Sequence, residues 1–227
     1  MNRKFKFETG EFYHVYNRGT DKRIIFVDDA DYKRFIKLLF ICNSDQSVHL
    51  SNIEYQGRTL INLVNNGRGE SLVDIGAYCL MPNHFHMILH EKVDGGISSF
   101  MKKLLTAYSM YFNNKHERTG SLFEGKFKAI HVNTDDYLEY LFAYIHLNPV
   151  KLIELNWKEG EVINTEEAKK FLESYKYSSY FDYVGKIREE LCLINKVPYP
   201  EYFSTPKEHR DFVEYWLKNE DIIKVRP

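Results

Sequence analysis

The chain has 227 residues, 44% hydrophobic and 28% charged, with a formal net charge of −1, enough to bury a sizeable globular core. That balance excludes a protein coated in positive charge, so any nucleic-acid contact must rest on local patches. No run approaches the roughly 18 apolar residues of a membrane-spanning helix, and the start, MNRKFKFETG, lacks a signal peptide's apolar stretch. Cys42, Cys79 and Cys192 are scattered and odd in number, so no disulfide framework is implied and a reducing, cytoplasmic setting is expected.

Residues 11–18, EFYHVYNR, alternate as a strand, with Phe12, His14 and Tyr16 on one face and Tyr13 and Val15 on the other. Gly19 ends it. A lone strand histidine such as His14 is more often structural than a ligand. Asp28 to Asn43 switches to helical spacing, with Asp28 or Asp29 as cap and Tyr32, Phe35, Ile36, Leu39 and Phe40 in one stripe. Residues 44–70 read as an insertion, with turn chemistry at Asn65-Asn66-Gly67-Arg68-Gly69 and an accessory hairpin over Thr59–Val64. Leu72 to Leu80 is a strong strand that turns at Pro82-Asn83 into an antiparallel partner.

After Gly95-Gly96, Ser98 or Ser99 caps a helix to about Asn113, burying Phe100, Leu104, Leu105, Tyr108 and Phe112. Phe127 to Val132 alternates as a strand. Asn133 or Thr134 then caps a helix with Asp135 and Asp136 in its first turn, and Pro149 must stop it at Asn148. The order strand, helix, strand, strand, helix, strand, helix is a ferredoxin-like βαββαβ unit with one extra helix, an α+β fold on an antiparallel sheet. From about Leu152 the chain reads as helical segments, Thr165–Ser174 and Pro206–Asn219, with Trp157 and the aromatics of Tyr175–Tyr183 as packing residues. A domain over 1–151 is therefore expected, with a helical appendage over 152–227 covering its sheet.

The most informative stretch is Met81 to His90, MPNHFHMILH. On a strand His84 and His86 share one face, while Phe85, Met87 and Leu89 load the other. Paired imidazoles backed by a core residue make half of a metal site, although nine histidines in the chain make a chance pair a fair alternative. In the last predicted helix of the unit, Tyr144 and Asn148 lie one turn apart on one face. If that face meets the histidines, Asn148 offers an amide oxygen to a metal and Tyr144 sits beside the ion.

Such a group suits phosphodiester cleavage. A divalent ion stabilises charge building on phosphate oxygens, and a phenol of pKa near ~10 gains nucleophilicity beside a cation. A tyrosine nucleophile leaves a phosphotyrosine that conserves the bond for rejoining. Spacing alone keeps Tyr108, Tyr111, Tyr137 and Tyr140 open as competitors, and Asn148 open as a plain helix C-terminal residue.

MPNHFHMILH followed at a distance by YIHLNPVK resembles the HUH single-tyrosine transposases of insertion sequences, in particular the REP-associated tyrosine transposase branch. YHVYNRG, FNNKHERTGSLFEGKFK and the SSY of Ser178–Tyr180 are similar too, so the resemblance spans about residues 8–185 with its motifs in order. It implies His84, His86 and Asn148 as ligands of Mg²⁺ or Mn²⁺ and Tyr144 as nucleophile. It also implies cleavage of single-stranded or hairpin DNA to a 5′-phosphotyrosine and a free 3′-OH. The 44–70 stretch is longer than the family core requires and the carboxy-terminal segment is not diagnostic, so both bear on DNA specificity and on whether the protein is a monomer or homodimer. Two imidazoles and an amide oxygen would also accept Co²⁺ or Zn²⁺.

Positive charge concentrates in two places. Residues 1–23 hold Arg3, Lys4, Lys6, Arg18, Lys22 and Arg23 against three acids, and residues 100–131 hold Lys102, Lys103, Lys115, Arg118, Lys126 and Lys128 against two. Arg18, Lys22, Arg23, Lys126 and Lys128 are the candidate phosphate contacts, although a charge run is often only a solvated face. Three other readings compete. A nucleotide hydrolase with a histidine nucleophile wants a third histidine where Ile88 stands, and a structural zinc site lacks a CxxC or second pair. The third is a DNA-binding protein of the same fold without turnover.

Overall fold

The computed structural model describes residues 6–46, 59–65, 69–154 and 164–218. Its four antiparallel strands are β1 (Phe12–Arg18), β2 (Val73–Met81), β3 (His84–Glu91) and β4 (Lys128–Val132), in the order β2-β3-β1-β4. β1 pairs with β3 from Phe12↔His90 to Arg18↔His84, and with β4 from Phe12↔Val132 to Tyr16↔Lys128. The Pro82-Asn83 turn joins β2 to β3, with Met81 opposite His84. Helices α1 (Asp29–Ile41), α2 (Leu60–Asn65), α3 (Gly96–Lys115) and α4 (Asp135–Leu147) complete the expected α+β, βαββαβ-plus-helix order.

Strand alternation sorts the side chains as expected. Tyr13, Val15, Phe85, Met87 and Leu89 enter one core with Phe35, Leu39, Phe100 and Leu104 of α1 and α3. Burying Phe85 completely is worth about 1.5–3 kcal/mol, which fixes the register that turns His84 and His86 to the opposite face. There α4 lays Leu138, Leu141, Phe142 and Ile145 against Ala77, Cys79 and Ile88. Asp28 caps α1 by accepting from the Asp31 amide, and Thr134 caps α4 by accepting from Tyr137.

Three local expectations are corrected. Residues Leu60–Asn65 form a short helix, not a hairpin arm, and it buries Leu60 and Leu63 while Glu189 Oε2 accepts from the Leu60 amide at 2.9 Å. α3 starts at Gly96, not after Ser98 or Ser99, because Gly95 adopts φ 74° and supplies the N-terminal turn without a side-chain cap. Pro149 does end α4, but the chain keeps winding as a 3₁₀ turn over Asn148–Leu152, in which proline near the start costs no hydrogen bond. Residues 47–58 and 66–68 of the insertion, Arg3, Lys4, Trp157 and Asn219 lie outside the described residues.

The carboxy-terminal part holds α5 (Thr165–Leu172), α6 (Tyr180–Tyr183) and α7 (Pro206–Lys218). It is sewn to the edge of β2. Ser179 N donates to Tyr78 O, Leu80 N donates to Tyr177 O, and Asn195 N donates to Ile75 O. This satisfies backbone groups that an outermost strand would leave unpaired. At Gly76 an added Cβ would lie 2.5 Å from the Tyr199 ring, so glycine is required there for the segment to seat.

Candidate active site

The site forms on the α4 face of the sheet. His84 and His86 lie side by side, ring centroids 5.1 Å apart. Each is braced through Nδ1: that of His84 meets Asn83 Oδ1 at 2.6 Å, and that of His86 meets His14 Nε2 at 2.9 Å. A histidine held at one ring nitrogen by the protein is oriented to ligate through the other, here Nε2. His14, read from sequence as structural, thus lies beside His86 within hydrogen-bond reach of its Nδ1. Tyr16 joins it, stacking on His86 at 5.6 Å and 28°.

α4 brings Tyr144 to the same place. Its ring stands edge-on to His86 at 5.6 Å and to His14 at 5.7 Å. Asn148, fully buried, donates from Nδ2 to the Tyr144 carbonyl at 2.7 Å, and its Oδ1 accepts from Lys151 Nζ at 2.7 Å. α4 therefore sets Tyr144 against His86 and His14, and Asn148, one turn on, is tied to the Tyr144 backbone with Lys151 at its oxygen.

Two of the competing tyrosines lie across the sheet, and the other two share α4 with Tyr144. Tyr108 and Tyr111 belong to α3 across the sheet, where Tyr108 donates to the Ile25 carbonyl and Tyr111 to Asp31. Burial pushes Tyr137 up to about 12, with Tyr144 and Tyr16 adding to the rise. Tyr140 packs on Trp216 at 5.1 Å. Cys79 is the cross-strand neighbour of His86, and burial drives its thiol pKa well up.

The donors suit a divalent ion as two imidazoles through Nε2 and one amide oxygen. Among the described residues no three His, Cys, Asp or Glu side chains are arranged to hold a metal ion, and Asn148 adds an amide oxygen beside Tyr144. The cysteines are all free thiols.

The candidate phosphate contacts divide. Cross-strand partners share a face, so Arg18 opposite His84 and Lys128 opposite Tyr16 both flank the histidines. Lys22 and Arg23 sit in a turn tied to the histidine strand, where Gly19 N donates to Asn83 O and Asn83 Nδ2 donates to Lys22 O. Asp21 and Lys22 in that turn both have positive φ, 54° and 59°, a strained arrangement frequent at functional loops. Lys126 goes elsewhere, to a groove of about 560 Å³ with Lys6, Phe7, Lys102 and Phe127, on the α3 side.

An open antiparallel sheet thus carries two braced histidines beside Tyr144 of α4. The family model for IS200-like transposases matches residues 31–148. This chain belongs to that family and is, at that level, a DNA transposase. The match runs from α1 through Asn148 and leaves out β1, which supplies His14 and Tyr16. Among solved structures the chain is similar to one described as "Structure of the REP associates tyrosine transposase bound to a REP hairpin", at 17% identity and a TM-score of 0.46, covering 84% of this chain and 89% of that one. No curated protein matches it. No described helix is long and apolar enough to cross a membrane.

Proposed function

We propose that this transposase cleaves and rejoins single-stranded or hairpin DNA through Tyr144, with His84, His86 and Asn148 holding Mg²⁺ or Mn²⁺ at the reacting phosphate. The observation that carries the reading is the Tyr144 ring set against both His86 and His14, with Asn148 tied to the Tyr144 carbonyl. In the reaction the Tyr144 oxygen bonds to phosphorus as the phosphorus–O3′ bond breaks. The phenol loses its proton and the departing 3′-oxygen takes one up. The 5′-phosphate stays on Tyr144, and attack by a 3′-OH reverses the step.

A bound divalent ion supplies charge stabilisation at the phosphate oxygens. The chain's own residues position the reactants: His14 aims His86, the Asn148 amide nitrogen is tied to the Tyr144 carbonyl and so fixes where its oxygen points, and Arg18 and Lys128 hold phosphates on the same face. Lys22 and Arg23 extend that contact from the neighbouring turn. By its motif set we assign the chain to the REP-associated branch. Residues 1–151 act as the catalytic unit and 152–227 as a packed appendage, in a cytoplasmic monomer or homodimer.

The test is a denaturing gel of end-labelled single-stranded hairpin DNA with Mg²⁺ or Mn²⁺. A protein-linked band formed by the parent, lost in Tyr144→Phe and in His84→Ala, supports the reading. A band that survives Tyr144→Phe moves the chemistry to another tyrosine, Tyr16 first. Binding without any band across substrates favours a DNA-binding protein of the same fold.

A further inference from the structure

Asn148 has a competitor for its oxygen inside the protein. The 3₁₀ turn that follows α4 places Lys151 three residues after Asn148, the spacing at which side chains eclipse in that geometry. Lys151 Nζ donates to Asn148 Oδ1 at 2.7 Å and lies 5.8 Å from the Tyr144 ring centroid. Asn148 is completely buried and Lys151 half-buried. The carboxamide is oriented at both ends, its nitrogen to the Tyr144 carbonyl and its oxygen to the ammonium.

An amide oxygen can face two cations only at the cost of their repulsion, which is substantial at these distances in a half-buried cleft. We propose that Lys151 is a built-in counterpart of the divalent ion: it holds Asn148 Oδ1 while the metal is away and must release it when the ion binds. The inference rests on the reading of His84, His86 and Asn148 as metal donors. One consequence separates it from a merely structural lysine. With the metal, the same ammonium lowers affinity, which makes occupancy responsive to metal concentration and to a phosphate that draws the lysine away. A lysine that only supported the fold would, when removed, leave metal affinity unchanged or weaken it. A competing lysine, when removed, strengthens it.

The experiment is Mn²⁺ binding, read by the electron paramagnetic resonance of the unbound ion, on the full chain without DNA. Parent, Lys151→Met, Lys151→Arg, Asn148→Ala and the Lys151→Met/Asn148→Ala pair are compared, with His84→Ala as reference. Lys151→Met is expected to bind Mn²⁺ about five- to tenfold more tightly, and Lys151→Arg, which keeps the charge, to stay near the parent. In the Asn148→Ala background the Lys151→Met gain should shrink, because the shared oxygen is gone. Equal or weaker binding by Lys151→Met, with circular dichroism and thermal melting unchanged, overturns the proposal while leaving the metal site standing. If Lys151→Met melts early, Lys151→Gln decides by the same comparison. If the parent binds no Mn²⁺ in a His84-dependent way, the metal reading itself fails and this inference falls with it.

Discussion

The rings of Tyr144 and His86 stand at 90° with centroids 5.6 Å apart, although 58 positions of sequence separate the two residues. That contact joins the helix carrying the proposed nucleophile to the strand carrying the proposed ligands, and most of the chemistry follows from it. Replacing Tyr144 by phenylalanine keeps the ring and removes only the oxygen. The expected result is loss of the covalent DNA adduct by at least about 10³-fold, with hairpin-DNA affinity within about twofold of the parent. Tyr16→Phe, which removes the other phenol stacked on His86, is expected to keep adduct formation. An adduct lost in Tyr16→Phe and kept in Tyr144→Phe would exchange their roles.

His14 is the second lever. Its Nε2 meets His86 Nδ1 at 2.9 Å in a buried setting, so His14→Ala frees the His86 ring to turn. Partners that orient a ligating histidine are typically worth about 10–100-fold in metal affinity or activity, and a drop of that size in Mn²⁺ affinity is expected. DNA binding measured in chelator should not change. Retained metal affinity in His14→Ala would return His14 to a packing role.

The sheet register separates the basic residues. Arg18 and Lys128 share the face of His84 and Tyr16, whereas Lys126 lines the groove on the α3 side. For single-stranded DNA, removing one cation that neutralises a phosphate flattens the slope of log affinity against log salt by about 0.7. Arg18→Ala and Lys128→Ala are each expected to show that change across unrelated hairpins, and Lys126→Ala a smaller one. Fluorescence anisotropy over a salt series measures all three. Equal slopes for the three variants would mean that the DNA path extends around the β4 edge.

Much of this arrangement is legible in the chain because it rests on short periods. Phe12 to Arg18 and His84 to Glu91 declare their faces by simple alternation, and Tyr144 with Asn148 declares a helix face. What the sequence hides depends on contacts distant along the chain or on backbone geometry. His14 looks solitary because its partner, His86, lies 72 positions away. Leu60–Asn65 is rich enough in apolar residues to pass for a strand, whereas as a helix it buries Leu60 and Leu63 and Glu189 accepts from its first amide. Lys151 is hidden because Pro149 reads as the end of helical winding, while a 3₁₀ turn tolerates it.

Acid should loosen the carboxy-terminal part before it affects the sheet core. His209 on α7 is fully buried, its Nε2 lies 2.9 Å from His146 Nδ1 on α4, and His146 Nε2 meets Ser179 Oγ at 2.8 Å. Burial, helped by the charges of Lys196 and Arg210, lowers His209 to about 3. Burial, then His209, lowers His146 as well. A free imidazole titrates near ~6.5, so below that pH the unfolded chain binds protons that the folded chain refuses. Stability is therefore complete above about pH 6.5 and is lost as pH falls toward the folded-state values, by about 1.4 kcal/mol per pH unit for each such imidazole. Urea midpoints at pH 7.5, 6.5, 6.0 and 5.5, a range chosen to lie above most carboxylate titration (~4), should show this slope in the parent. His209→Gln, neutral throughout, should lower stability at pH 7.5 yet lose one imidazole's share of the slope. If the parent and His209→Gln fall in parallel from pH 6.5 to 5.5, the buried pair is not what makes the fold acid-sensitive.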